Sequence, residues 1–168
     1  MKVLLIVAPS DFRDEEYFDT KEELEKKGIK VVSASTKKGE LTGVLGGRAE
    51  ASITLPELNV DDYAAIAFIG GGGSSVFFKD QNAWSIARDA KEKGKILAAI
   101  CIAPTTLANA GVLDGIKATA WPSQEGSLKE HGAIWTGTEL EADGKIITAN
   151  GPGAAKAFGQ KIASSLTE

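Results

Sequence analysis

The chain has 168 residues, of which 43% are hydrophobic and 25% charged, and its net charge is -4. A chain of this length forms one domain with a sizeable core, so we expect residues 1–168 to be a single domain. The acidic balance and the absence of a polybasic patch argue against nucleic-acid or acidic-membrane partners. No apolar run approaches a membrane span, and the first run has neither the length nor the cleavage pattern of a signal peptide. We therefore expect a cytoplasmic protein.

From the N terminus onward, strand-length apolar runs alternate with helix-length amphipathic segments. The predicted strands are residues 2–8, 29–33, 63–69, 96–100, 117–121 and 145–149, and the predicted helices are residues 15–27, 83–93, 103–110, 124–131 and 154–166. Runs that are apolar throughout are typical of parallel strands covered on both faces. The alternation predicts an α/β fold with a mostly parallel central sheet and helices on both faces.

One segment, residues 39–58, departs from this alternation. Its short β-like pieces, separated by Gly43, Gly46 and Gly47, predict a small β hairpin inserted in the sheet order rather than a second domain. Further along, the Asp143-Gly144 pair is typical of a second hairpin turn. In an open parallel sheet, ligands bind beyond the carboxyl ends of the strands, so we expect the loops after the predicted strands to converge there.

The only cysteine, Cys101, stands at the end of a predicted strand and just before a predicted helix. Ala99 and Ala103, two positions to either side, supply the small residues that a sharp strand-to-helix turn requires. A thiol at a helix start faces unpaired N–H groups, so we expect a lowered pKa and a nucleophilic thiolate. The alternative is a cysteine used as a small buried hydrophobic residue. One cysteine and one histidine predict neither an internal disulfide nor a metal site.

Two loops could complete a site around this thiol. The glycine-rich run at residues 70–75 exposes main-chain N–H groups and predicts an oxyanion hole, with a dinucleotide-binding loop or a simple tight turn as alternatives. In the first loop, Asp14 and Glu15 fit solvated positions at a helix start, whereas Glu16 could point inward. As a protonated acid, Glu16 would donate a hydrogen bond to sulfur. His131 is the one candidate for a cysteine–histidine pair, but its charged surroundings are typical of a solvated helix end.

Several motifs together resemble the ThiJ/PfpI superfamily, also called the DJ-one family. They are the loop at residues 12–16, Ile69-Gly70-Gly71, residues 98–101, residues 110–113 and Gly151-Pro152-Gly153. The similarity covers nearly the whole chain, and it implies a flavodoxin-like sandwich. It also implies that members form homodimers or larger homo-oligomers and act on small molecules without a cofactor or metal.

Carried over position by position, the resemblance implies roles for individual residues. Cys101 becomes the readily oxidised nucleophile, with Glu16 as its carboxylic acid partner. The N–H groups of Gly71 and Ile102 become the anion-binding pair. Arg48, in the inserted arm, is similar to an arginine that members send toward a partner subunit's active site, although an exposed arm arginine is usually only solvated. Three further residues are assigned to the pocket: Gly70, Gly72 and Trp121.

The chain also departs from its presumed relatives at the positions of two histidines. The peptidase-like branch places a histidine directly after the cysteine and a glutamate beyond the glycine loop, where this chain has Ile102 and Ser75. The glyoxalase and deglycase branch places a histidine before a proline, where this chain has Trp121. We expect Trp121 either to form an apolar wall of the pocket or to pack in the core.

Three functions compete on these observations. The first is a glyoxalase-like or deglycase-like enzyme in which the Cys101 thiolate adds to a reactive carbonyl, the glycine loop holds the oxyanion and Glu16 moves protons. The second is an oxidation-sensing stress protein whose cysteine is converted to sulfinic acid. The third is an intracellular cysteine peptidase, which rests on the resemblance more than on residues.

Overall fold

The protein is described by a computed structural model that covers all residues 1–168. The strands are β1 Lys2–Ile6, β2 Ser10–Phe12, β3 Lys30–Ser35, β4 Gly39–Gly43, β5 Arg48–Ala51, β6 Ile53–Thr54, β7 Ala65–Phe68, β8 Ile96–Ile100, β9 Lys117–Ala118, β10 Ile134–Trp135, β11 Leu140–Asp143 and β12 Ile146–Ala149. The α-helices are α1 Asp14–Lys26, α2 Gln81–Glu92, α3 Pro104–Asn109, α4 Glu125–Glu130 and α5 Ala155–Leu166.

Seven strands form the central sheet in the order β11-β12-β8-β7-β1-β3-β6. All neighbouring strands are parallel except β11 and β12. Side chains of β1 alternate between two buried cores, with Leu4 and Ile6 on one face and Val3 and Leu5 on the other. Helices α1 and α5 cover the second face and α2, α3 and α4 the first. The predicted α/β sandwich is confirmed, and burial on both faces explains why β1 is apolar throughout.

The predicted inserted hairpin is formed by β4 and β5, which pair antiparallel and are joined by β2 into a small three-stranded sheet. Its turn is fastened to the start of α1. The carboxylate of Asp14 accepts hydrogen bonds from the main-chain N–H groups of Leu45 at 2.8 Å and Gly47 at 2.7 Å. Because each N–H group bonds to a separate carboxylate oxygen, this hairpin, residues 39–51, is held in one position above the sheet edge. We call it the arm.

Some elements differ from the prediction. The strand expected at residues 117–121 is only Lys117–Ala118, and it pairs with β10 outside the central sheet. The hairpin turn predicted at Asp143-Gly144 is confirmed, because it joins the antiparallel strands β11 and β12. The bounds of β11 were not predicted, because its sequence, Leu-Glu-Ala-Asp, lacks the apolar character of the buried strands. No helix has both the length and the hydropathy needed to cross a bilayer.

Candidate active site

Cys101 lies on a sharp turn between β8 and α3. Its φ of 66° is in the left-handed region, which non-glycine residues seldom adopt. The Cys101 N–H donates to the Ala149 carbonyl at 2.9 Å, and the Cys101 carbonyl accepts from the Trp121 N–H at 2.8 Å. The turn predicted from the small flanking residues is present, and hydrogen bonds from two separate segments hold it in its strained conformation.

Glu16, in the first turn of α1, is buried with no exposed surface. Neither of its carboxyl oxygens has a hydrogen-bond partner of normal geometry. The carboxyl and the thiol meet at Gly70, where a Cβ would lie 2.5 Å from Glu16 Oε1 and 2.6 Å from Cys101 Cβ. Only glycine fits between them, which explains why the glycine run begins at this position.

Both groups of this pair have shifted pKa values. Burial raises the pKa of Glu16 to about 7, against smaller opposing effects of the Cys101 thiol and the Gly70 main chain. Burial and the charge of Glu16 raise the pKa of Cys101 to about 12, although the N–H groups of Gly71 and Ile102 act in the opposite direction. The lowered pKa that the sequence led us to expect is therefore wrong for this conformation, because only 9% of Cys101 is exposed.

The pair nevertheless provides a route to the thiolate. When Glu16 carries a proton, it no longer repels a negative sulfur and can donate a hydrogen bond to it. The two groups therefore behave as one unit that shares a proton, with Glu16 titrating near neutral pH. This arrangement can deliver a proton and accept one at the same place.

The glycine loop packs against the first loop of the chain. The Gly70 carbonyl accepts from the Arg13 N–H at 3.0 Å. Gly71 has a φ of 101°, and a Cβ there would overlap the main chain of Arg13. The Gly71 carbonyl accepts from both the N–H and the hydroxyl of Ser74, at 3.0 Å and 2.7 Å. Held in this way, the Gly71 N–H, like that of Ile102, lies near enough to the thiol to act against the rise of the Cys101 pKa.

A cavity of about 340 Å³ opens over the thiol. It is lined by Arg13, Val44, Gly71, Gly72, Cys101, Ile102, Trp121 and Pro152. Trp121 is 46% exposed, and its ring packs against Gly151, where a Cβ would come within 3.0 Å of it. Trp121 is therefore a wall of the cavity rather than a core residue. Of the four residues predicted for the pocket, Gly72 and Trp121 line this cavity, whereas Gly70 and Arg48 do not. The predicted anion-binding residues Gly71 and Ile102 also line it, and Gly70 and Glu16 lie beside the thiol.

Two sequence candidates lie elsewhere. The Arg48 side chain on β5 is 75% exposed, lies 3.6 Å from the Glu40 carboxylate and lines a different cavity. The structure thus does not place Arg48 in the Cys101 cavity of its own chain, and its contact with a partner subunit stays a prediction. His131 has its Nδ1 at 2.9 Å from the Ser127 carbonyl and lines a separate cavity with Trp84. It is not a partner of the thiol.

Sequence reasoning missed three cavity residues: Arg13, Val44 and Pro152. Arg13 and Pro152 stand inside motifs that the sequence does mark, and Val44 forms the tip of the inserted arm. The signal for Arg13 was its place between Phe12 and the acidic residues of the first loop. The structure contains no group of three His, Cys, Asp or Glu side chains that could hold a metal ion.

Comparison with known proteins agrees with this geometry. The chain is 39% identical over 168 residues to an uncharacterized protein, MJ0967, of Methanocaldococcus jannaschii, covering 98% of this chain and 82% of the relative. It is 32% identical over 153 residues to the deglycase PfpI of Pyrococcus furiosus, covering 91% and 92% of the two chains.

Solved structures share the architecture. The ThiJ/PfpI domain protein from Brachyspira murdochii superposes with a TM-score of 0.97 at 29% identity, covering 99% of this chain and 96% of the other. The parallel sheet with helices on both faces is the flavodoxin-like sandwich predicted from the resemblance. The sequence model of the DJ-1/PfpI family matches residues 1–165. Since this match and the shared fold both extend over almost the whole chain, the protein belongs to the DJ-1/PfpI family.

Proposed function

We propose that the protein is a cysteine-dependent enzyme of the glyoxalase or deglycase type, acting on small reactive carbonyl compounds at Cys101. The observation that carries this proposal is the buried, unpartnered carboxyl of Glu16 beside a cysteine on a strained turn. Strained backbone and shifted pKa values are concentrated at functional sites. Relatives named as deglycases, at 32% identity, support the same class of chemistry.

The first step is addition to the carbonyl group. Cys101 passes its proton to Glu16 as its sulfur bonds to the aldehyde carbon of an α-oxoaldehyde, and the carbonyl π electrons move to oxygen. In this proposal the N–H groups of Gly71 and Ile102 hold that oxyanion, and their lowering effect on the pKa of Cys101 supports this role. Glu16 returns its proton to the oxyanion, which gives a neutral hemithioacetal and leaves a carboxylate ready to act as a base.

As a carboxylate, Glu16 then removes the proton of the former aldehyde carbon and passes it to the ketone oxygen, which gives an enediol. Glu16 next takes the proton of the hydroxyl on the former aldehyde carbon and gives it to the neighbouring carbon, which forms a carbonyl group beside the sulfur. The product of this transfer is a thioester of a 2-hydroxy acid, and water hydrolyses it to free the acid and the thiol. The sum is one α-oxoaldehyde plus one water giving one 2-hydroxy acid, with no external oxidant. A pKa near 7 suits a group that must both take up and release a proton.

The size of the cavity supports a small substrate. Its volume of about 340 Å³ is at the lower end of the range for ligand pockets, roughly 300–1,000 Å³. The peptidase alternative has less support, because no histidine lies beside Cys101 and the sole histidine lines another cavity.

The oxidation-sensing function is the second candidate, and one observation favours it. The sulfur is open to the cavity, and the same two N–H groups could hold a sulfinate oxygen. We further propose that the chain works in the cytoplasm as a homodimer, since the exposed arm carries the apolar residues Val44 and Leu45 beside Arg48.

The experiment that tests the enzyme is turnover of methylglyoxal, followed by the appearance of lactate. We expect product from the wild type and none above background from Cys101→Ala, with Lys27→Gln, at the C-terminal end of α1 and outside the cavity, as the control that keeps the site intact. Equal product from Cys101→Ala, or none from the wild type with any α-oxoaldehyde or glycated substrate, would contradict the proposal. Rapid conversion of Cys101 by peroxide in a protein without turnover would favour the second candidate.

A further inference from the structure

The Cys101 cavity contains one charged side chain, Arg13, among apolar residues and glycines. A guanidinium that lines a small cavity favours a ligand group of opposite charge, because charge-assisted hydrogen bonds to carboxylates are strong. Arg13 is not required by the carbonyl chemistry derived above, which uses Cys101, Glu16 and two N–H groups. Its role in the cavity is therefore open.

The position of Arg13 is fixed at both ends. Its main-chain N–H is bonded to the Gly70 carbonyl at 3.0 Å, which ties it to the loop beside the thiol. Its guanidinium donates to Glu15, from Nε to Oε2 at 2.6 Å and from Nη2 to Oε1 at 3.2 Å. These hydrogen bonds hold the pKa of Glu15 below its ordinary value, so Glu15 stays charged at neutral pH.

The Glu15 carboxylate contacts only one edge of the Arg13 guanidinium. An arginine has five N–H donors, and the Glu15 contact uses two of them, which leaves the edge formed by Nη1 and the second N–H of Nη2. That edge is itself suited to bidentate binding of a carboxylate. The Arg13 side chain is 35% exposed, so the free edge is accessible.

We propose that Arg13 determines substrate specificity by binding the carboxylate of an α-oxoaldehyde that also carries a carboxylate, while Cys101 attacks its aldehyde carbon. This inference rests on the proposed function and narrows its substrate class from small reactive carbonyl compounds in general to those that carry a carboxylate. Glu15 acts as a positioning residue, because it aligns the guanidinium without touching the substrate.

Alkylation of Cys101 tests this without requiring turnover. Iodoacetate and iodoacetamide both form a bond from sulfur to carbon and release iodide, but only iodoacetate carries a carboxylate. We expect the wild type to prefer iodoacetate by about tenfold, relative to the preference of a free cysteine derivative, since charge-assisted bidentate contacts are strong. Arg13→Gln should abolish this preference, and Arg13→Lys should retain only part of it.

Lys27→Gln is the matched control, because it removes one positive charge from an exposed position at the C-terminal end of α1, outside the cavity. It should leave the preference unchanged. Should the Arg13→Gln protein fail to fold, Arg13→Lys with the salt dependence of the wild-type ratio provides the same comparison. An unchanged preference in both Arg13 variants, an equal loss in Lys27→Gln, or a thiol that reacts with neither reagent would overturn the proposal.

Steady-state kinetics distinguishes a failure of the proposed Arg13 role from a failure of the proposed enzyme activity. We expect the ratio of kcat/KM for dioxovalerate, a carboxylate-bearing α-oxoaldehyde, to that for methylglyoxal to fall about tenfold in Arg13→Gln. Turnover of both compounds with an unchanged ratio would overturn the role of Arg13 and leave the enzyme intact. No turnover of either, with an Arg13-dependent alkylation preference, would refute the enzyme and leave the anion site.

Discussion

Helix α1 carries three buried acids, and two of them, Glu16 and Glu23, lie on the same face but differ in their partners. Glu16 and Glu23 are seven residues apart, which is close to two helical turns. Glu23, 8% exposed, accepts hydrogen bonds from Lys26 at 3.1 Å and Gln160 at 3.3 Å, and these bonds lower its pKa. Glu16 has no such partners, and burial raises its pKa to about 7. The presence of partners, rather than burial alone, separates the acid whose pKa is lowered from the acid whose pKa is raised.

The largest expected effect comes from removing the reactive acid. Glu16→Gln keeps the size of the side chain but cannot exchange a proton, so kcat/KM for methylglyoxal should fall by about a hundredfold to ten-thousandfold. The equivalent change at the other end of the helix, Glu23→Gln, should leave kcat/KM within about twofold of the wild type, because its contacts are structural. Steady-state kinetics measures both, and similar losses in the two variants would remove the distinction between the acids.

The contributions of Glu16 and Glu23 to the free energy of unfolding should change in opposite directions as the pH rises. A pKa raised from 4.5 to about 7 means that Glu16 favours the folded state below pH 4.5 and loses that contribution as the pH rises through 7. That shift of about 2.5 pKa units corresponds to about 3 kcal/mol. Glu23, with its lowered pKa, contributes stability above 4.5 and loses it as the pH falls.

Denaturant unfolding of the wild type and of Glu16→Gln between mild acid and pH 8 measures this difference. The wild type should lose about 3 kcal/mol of unfolding free energy over this range through Glu16, and the variant should not. Glu23→Gln should keep the wild-type loss near neutral pH. Parallel curves for the wild type and Glu16→Gln would show that the Glu16 pKa is not raised.

Crowding at Gly70 is what brings the reactive acid against the sulfur. In Gly70→Ala the new methyl group would lie 2.5 Å from Glu16 Oε1 and 2.6 Å from the Ile100 carbonyl, so the unfolding free energy should fall by about 1–3 kcal/mol. Gly72→Ala, in the same loop, has no atom within 4 Å and no positive φ, and its unfolding free energy should be unchanged. Thermal unfolding of the two variants measures this difference. Equal melting temperatures would mean that the loop shifts enough to accommodate the methyl group at position 70.

The smallest expected effects concern Asp14, the third buried acid of α1, and the exposed Glu22. Asp14 is buried and fully partnered, and Asp14→Ala would free the N–H groups of Leu45 and Gly47, so we expect a loss of about 2 kcal/mol and faster proteolysis within the arm. Glu22→Ala, which removes only an exposed ion pair with Lys26, should cost less than about 0.5 kcal/mol. Unfolding free energies and limited proteolysis measure the two, and equal values would show that the arm does not depend on Asp14.

The elements that follow from local pattern could be predicted. The parallel strands are apolar because both faces are covered, and the turn at Cys101 is marked by Ala99 and Ala103. The inserted hairpin was also indicated, by its glycines. The bounds of the edge strand β11 were missed, because a strand with one free edge can carry polar residues such as Glu141 without penalty.

The site was predicted less completely, for a physical reason. Val44 lines the Cys101 cavity because the arm folds back and Asp14 accepts a hydrogen bond from its turn. This contact joins residues far apart in sequence, so a local sequence pattern could not predict it. The pKa of Cys101 was expected in the wrong direction because sequence shows a turn before a helix but not the depth of burial. Arg13 was overlooked because its neighbour Glu15 makes it look like part of a solvated helix start.

The positive φ of Cys101 has a consequence for how this chain can change over time. A cysteine in this conformation carries a backbone penalty of about 1 kcal/mol that glycine would escape. Replacing Cys101 by glycine would relieve this penalty but remove the thiol. At this position the backbone cannot be unstrained while the side chain keeps its sulfur.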